Sequence, residues 1–171
     1  MENMPDFTEV SVVAIKPMKG AGRMLNKKDE SEDVFAGDVL SIPLYLAEEL
    51  IEIGAVRLGN LPKGLDARSR RLIRADPSVV NLPSLCPYFY EVGYRIAKLI
   101  EDSDLVKFLE TVWQHRWENL IPKVSVADGV IALEMEDRLD MEERRFVKLM
   151  RNSRSGGSNF SSGKITSWTS R

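Results

Sequence analysis

The apolar residues of this 171-residue chain change rhythm near residue 61, and that change confines the fold to a β-containing unit followed by a helical one. Before it, β-branched residues cluster in short runs. Val10, Val12, Val13 and Ile15 end at Pro17, which predicts a strand. Lys19–Asp33 is rich in Gly, Lys, Asp and Glu and reads as an exposed loop. A second strand is predicted over Asp38–Ile42 and is closed by Pro43, a residue suited to the first turn of a helix. Leu44, Leu46, Ala47, Leu50 and Ile51 then form a helical stripe that Gly54 ends, and Ala55–Leu58 predicts a third strand. The order is strand, loop, strand, helix, strand. About sixty residues bury too little surface for an independent core, so this unit is expected to lean on a neighbour.

After residue 61 the spacing becomes helical. Leu65–Arg74 predicts a short basic helix stopped before Pro77, because the residue preceding proline disfavours the helical region. Ser84 is a candidate N-cap with Pro87 in the first turn, and Phe89, Val92, Ile96, Leu99 and Ile100 mark one buried face. Ser103 is expected to cap the next helix, whose face is Leu105, Phe108, Leu109, Val112, Arg116, Trp117 and Leu120, ended by Ile121-Pro122. Val126–Arg138 follows, with Val130, Leu133 and Leu139 turned inward. Asp140 and Glu143 have capping-box spacing ahead of Phe146, Val147, Leu149 and Met150. The stretch 152–171 is Ser/Gly-rich and reads as a flexible tail. The fold class is therefore α+β: a small β-rich domain over 1–61, an all-α domain over 62–151, and the tail.

Charge and chemistry exclude several function classes. Lys+Arg 24 against Asp+Glu 26 leaves a net charge of −2, unlike a polycation that coats nucleic acid. Residues 1–61 hold 11 acids and 6 bases, and residues 151–171 hold bases only. No apolar run reaches the roughly 20 residues of a membrane span, and the acidic first ten residues do not resemble a targeting peptide. One cysteine, Cys86, and one histidine, His115, cannot make an internal disulfide or a four-ligand Cys/His zinc site. As a catalytic pair they lack any surrounding nucleophile motif. Gly20-Ala21-Gly22 has neither a Walker lysine–Ser/Thr pair nor a third glycine, and reads as a turn.

Three constellations are candidates for contact. Arg68, Arg70, Arg71 and Arg74 could bind phosphates, making a nucleic-acid-binding module of helix 65–74, or pair with acids of a partner protein. Tyr88, Tyr90, Trp113, Trp117 and Phe146 are candidate interface anchors, with Phe89 and Trp117 fitting the core stripes and Tyr90 and Trp113 their edges. Glu134, Glu136, Asp137, Asp140, Glu142 and Glu143 are interleaved with Arg138, Arg144, Arg145 and Lys148, which reads as a solvated, ion-paired surface rather than a metal site.

Two segments carry a resemblance. Ala75-Asp76-Pro77-Ser78-Val79-Val80-Asn81-Leu82, continued by Pro87–Gly93, resembles GINS complex subunits of the Psf-three type, as does Gly37–Ala47. Leu139–Phe146 is similar to that family's late helix. The resemblance spans roughly residues 8–150 and implies a structural replication subunit with no catalytic residue, metal or cofactor. It implies assembly with other GINS subunits into a heterotetramer that joins the MCM helicase and a RecJ-like or Cdc-forty-five-type protein in a CMG-type helicase, touching DNA only indirectly. The compact chain points to an archaeal source and a cytoplasmic, nucleoid-associated location; a eukaryotic source would make it nuclear.

Overall fold

The computed structural model describes residues 4–25 and 32–156. Three strands, β1 (Glu9–Ala14), β2 (Val39–Pro43) and β3 (Val56–Leu58), form an antiparallel sheet in the order β2-β1-β3. Central β1 pairs Val10 with Ile42 and Val12 with Leu40 on one side, and Ala14 with Val56 on the other. Side chains alternate along a strand, so Val10, Val12, Ala14, Leu40, Ile42 and Val56 share one face, and all are buried. Glu9, Ser41 and Arg57 occupy the opposite face. Because β2 and β3 both run against β1, they are parallel to each other and need a crossover. Helix α1 (Leu44–Glu52) supplies it, burying Leu44 and Ala47 and stopping before Gly54 at φ 68°.

Among the described residues seven helices follow: α2 (Ala67–Ala75), α3 (Leu82–Leu85), α4 (Phe89–Leu99), α5 (Ser103–Asn119), α6 (Ile121–Val126), α7 (Gly129–Glu136) and α8 (Met141–Gly156). The buried sheet face and the inner faces of α4 and α5 make one continuous apolar cluster, from Val10 and Ile42 to Val92, Phe108 and Val112. The small sheet is thus completed by the helices. Gly93 lets α4 approach α5, since a Cβ there would lie 2.9 Å from Leu109 Cδ2. A polar clamp reinforces the join. Arg95 of α4 donates from Nε to Glu48 of α1 at 2.7 Å and from Nη1 to Asp6 at 2.7 Å, and also pairs with the second Glu48 oxygen.

Several local expectations need correction. Asn81, not Ser84, provides a cap, and it serves α3, accepting from Ser84 N at 3.1 Å. Helix α4 starts after Tyr88, which is left-handed at φ 56°. Asp102, one residue before Ser103, caps α5 through Leu105 N at 2.9 Å, a carboxylate being a strong acceptor for an orphan N–H. Pro122 lies in the first turn of α6 instead of only ending α5. The expected helix 126–138 begins only at Gly129, and its Val130 and Leu133 face solvent.

Residues 152–156, read as flexible tail, continue α8, while the rest of that stretch, 157–171, lies outside the described residues. Tertiary anchoring explains the longer helix. Arg151 donates to Val124 O at 2.9 Å and pairs with Glu136, holding the last turns of α8 against α6 and α7.

The clamp yields a test. Arg95→Ala is expected to cost about 1 kcal/mol, as befits partly exposed ion pairs. Amide hydrogen exchange should rise in β1 and α1 more than in α5; uniform protection in the variant would show that the clamp does not hold the sheet to the helices.

Candidate subunit interface

The helical unit is organised around one buried cation. Arg116 follows Val112 by four residues and precedes Leu120 by four, so the helix itself carries the guanidinium into the core, where it is fully buried. All five guanidinium N–H groups are used. Nε donates to Glu143 Oε1 at 2.7 Å and Nη2 to Glu143 Oε2 at 2.9 Å, a bidentate pair. Nη1 donates to the carbonyls of Pro77 and Val80 at 2.6 and 2.9 Å, and Nη2 to that of Arg138 at 2.7 Å. One side chain therefore ties together α5, α8, the α2–α3 connector and the α7–α8 turn.

Glu143 and Asp140 extend the network. Tyr90 Oη donates to Glu143 Oε1 at 2.9 Å, and Asp140 N donates to Glu143 Oε2 at 2.9 Å, half of the expected capping box. Asp140 Oδ1 accepts from Phe89 N at 2.7 Å, so a carboxyl 51 residues away caps α4, a role its left-handed Tyr88 does not fill. Burial, and then the Glu143 charge, pushes the Asp140 carboxyl up to about 7. Burial pushes the Tyr90 phenol well above its ordinary value, so it remains a hydrogen-bond donor. Two members of the acidic cluster thus turn inward, contrary to the expectation of a wholly solvated surface, because Arg116 pairs with Glu143 and backbone N–H groups of Phe89 and Glu142 satisfy Asp140.

The aromatic residues form a chain over this network. Tyr90 meets Trp113 edge-on at 5.2 Å, and Trp113 stacks on Trp117 at 6.0 Å. Phe146 of α8 meets Trp113 and Trp117 at 5.4 and 5.3 Å. Tyr90 and Trp113 are buried inside the chain, not at the stripe edges; Tyr88, Trp117 and Phe146 are half buried. The assignment of edge and core shifts because α8 lays Phe146 against both tryptophans, covering Trp113.

The arginine-rich helix does not present four free cations. Asp66 caps α2 through Arg68 N and Ser69 N, both at 3.0 Å. Arg70 is partly buried, 3.7 Å from Asp102, and the Arg74 guanidinium lies over the Phe108 ring at 5.4 Å. Arg68 and Arg71 are exposed, beside exposed Leu72. Arg70 is thus turned partly inward, while Arg74 stacks on Phe108 and stays exposed like Arg68 and Arg71.

Other candidates have local roles. Burial pushes the Cys86 thiol up to about 12, so it stays protonated, and its neighbour is Pro87 O at 3.5 Å. His115 Nδ1 instead meets Ser78 Oγ at 3.2 Å. Gly20 N donates to Asp33 Oδ1 at 2.8 Å, so the chain's own carboxylate holds the glycine loop, beside a Met18–Val34 bridge. Among the described residues, no His/Cys/Asp/Glu group could hold a metal, and no helix is long and apolar enough to cross a membrane.

What remains is an apolar surface. Helix α7 buries Ala132 but leaves Val130 at 69%, Ile131 at 65% and Leu133 at 64% exposure, with Val126 at 59% just before it. Asp128, Glu134 and Asp137 border these residues, without a base between 126 and 137. Lone exposed aliphatic residues are ordinary; three within one eight-residue helix make this face a candidate contact surface.

Comparison with known proteins agrees with this arrangement. Residues 64–159 match the model of the Sld5 family, described as the GINS complex protein helical bundle domain. The chain is 31% identical over 134 residues to the DNA replication complex GINS protein psf3 of Aspergillus fumigatus, covering 71% of this chain and 72% of that protein. It is 31% identical over 91 residues to the GINS protein PSF3 of Phaeosphaeria nodorum, covering 50% of this chain and 51% of that protein. The chain belongs to the GINS family. Within it, this is a subunit of the Psf3 type, a structural component of a DNA replication complex and not a catalyst. Both relatives are fungal, so the archaeal expectation finds no support.

The buried network yields two tests. Arg116→Met leaves Glu143 buried without its cation and should lower stability by about 3–5 kcal/mol in urea unfolding; a loss under about 1 kcal/mol would remove the hub from its central place. Asp140 binds its proton more tightly folded than unfolded. Its contribution is therefore full below about pH 4 and is lost as pH rises through about 7. Asp140→Asn keeps an acceptor for Phe89 N but cannot titrate. Relative to this variant, the natural chain should lose stability between about pH 4 and pH 7; parallel urea midpoints would contradict the assignment.

Proposed function

We propose that this subunit is a brace: its α7 face is covered by a sister GINS subunit, and the assembled heterotetramer links the MCM helicase to a RecJ-like or Cdc-forty-five-type protein at the replication fork. Membership in the family supports assembly with other GINS subunits. The observation that carries the reading is the uncovered triad Val130, Ile131 and Leu133. Each such side chain gains about 1.5–3 kcal/mol on full burial, so leaving all three in water favours a chain finished by a partner. Tyr88, Trp117 and Phe146, half buried, are proposed as further contacts. The division at residue 61 belongs to the same reading, with the small unit seated on the helical one. The fungal relatives favour a nuclear location.

Because α7 is exposed, Ile131→Asp with Leu133→Asp should leave the isolated fold unchanged by circular dichroism. Co-purification with sister subunits should weaken by about a hundredfold, the effect of roughly 2.7 kcal/mol. Leu72→Asp on α2 is the control. Full assembly by the α7 variant would refute the role given to this face.

A further inference from the structure

A second surface, next to α7 but opposite in sign, points to another kind of partner. The α7–α8 turn and α8 enclose a groove of about 310 Å³, lined by Glu136, Leu139, Arg144, Val147, Lys148 and Arg151, with Asn152 at its end. Leu139 and Val147 are buried beneath it. Arg144, Lys148 and Arg151 recur at intervals of four and three residues, so they stand in a row along one side of α8.

The charges in this row are unequal. Arg151 is committed to Glu136 and Val124 O, which also neutralises the one carboxylate that lines the groove among the described residues. Arg144 uses Nε on Leu139 O at 3.1 Å and keeps its terminal nitrogens free of acids, and Lys148 has no acidic partner among the described residues. Nearby acids cannot answer them. Glu142 pairs with Arg145 at 2.6 Å, while Asp140 and Glu143 are buried in the Arg116 network. The groove mouth is therefore locally cationic in a chain whose net charge is −2.

We propose that this groove docks a short acidic segment of a partner protein, with carboxylates at Arg144 and Lys148 and one aliphatic side chain set between them. The dimensions favour a peptide. The row spans only about 10 Å of helix, and an apolar floor offers nothing to a phosphodiester backbone, which binds along extended cationic tracks. Charge complementarity at such a rim selects the partner and speeds its arrival. Neither Arg144 nor Lys148 belongs to the α7 face, so the proposal stands apart from the assembly reading.

The test uses the full chain, alone and assembled with its sister subunits, and a fluorescein-labelled Glu-Glu-Leu-Asp-Glu-Leu-Glu-Asp peptide read by fluorescence anisotropy. Binding is expected in both forms. Arg144→Glu with Lys148→Glu should weaken it about tenfold without altering assembly, its thermal unfolding lowered only by the lost Arg144–Leu139 O bond, and replacing the peptide's leucines by serine should weaken it as much. Lys107→Glu on α5 should change nothing. Equal binding by the double variant would overturn the proposal. So would loss of binding on assembly, which would show that a sister subunit fills the groove, or displacement of the peptide by single-stranded oligothymidylate.

Discussion

The helical unit depends on a single charged contact placed where charge is most expensive. A buried guanidinium without partners would be intolerable; with five hydrogen bonds, two of them to one bidentate carboxylate, it becomes a lock. Its value lies less in net energy than in geometry. Arg116 accepts only an arrangement in which Glu143 of α8, the carbonyls of Pro77 and Val80, and that of Arg138 converge on one plane. An apolar residue there would pack against many neighbours about equally well. The same contact fixes Asp140, whose carboxyl caps α4, so the register of α8 and the start of α4 are set together.

That lock also explains why α7 can be bare. The turn after it is pinned through Arg138 O, and its last residue through Arg151. Helix α7 is held at its C-terminal end by polar contacts and contributes little to the core, leaving Val130, Ile131 and Leu133 to face outward. This is the face proposed above to meet a sister subunit. On the adjoining side of α8, Arg144 and Lys148, without acidic partners among the described residues, give the same end of the molecule a second, cationic surface. Two neighbouring surfaces of different chemistry on one scaffold suit a protein that brings other proteins together.

At the other end, the small sheet illustrates the limit of a short β unit. Its buried face joins the helical core directly, and Arg95 clamps α1 and Asp6 to α4. The unit that sequence length alone marks as too small to stand is completed within its own chain, while the outer face of α7 is left exposed.

Much of this was legible from local rules. The alternation in Val10, Val12, Leu40 and Ile42, the helical stripes of α4 and α5, and the punctuation by Pro43 and Gly54 depend on neighbours along the chain, so the sequence by itself determined the α+β order and most element positions. The segments flanking Pro77 and Pro43 also pointed to the family. Tertiary structure alone decided which polar residues are inside. Spacing put Arg116 on a buried stripe and Asp140 with Glu143 in a capping box, yet nothing local says that these three meet, because Arg116 and Glu143 lie 27 residues apart on different helices. It likewise decided the fate of amphipathic positions. Trp113 became core because α8 covered it, and Val130 and Leu133 stayed in water because no described element of this chain lies over α7; burial is a property of what packs opposite, and periodicity carries no information about that.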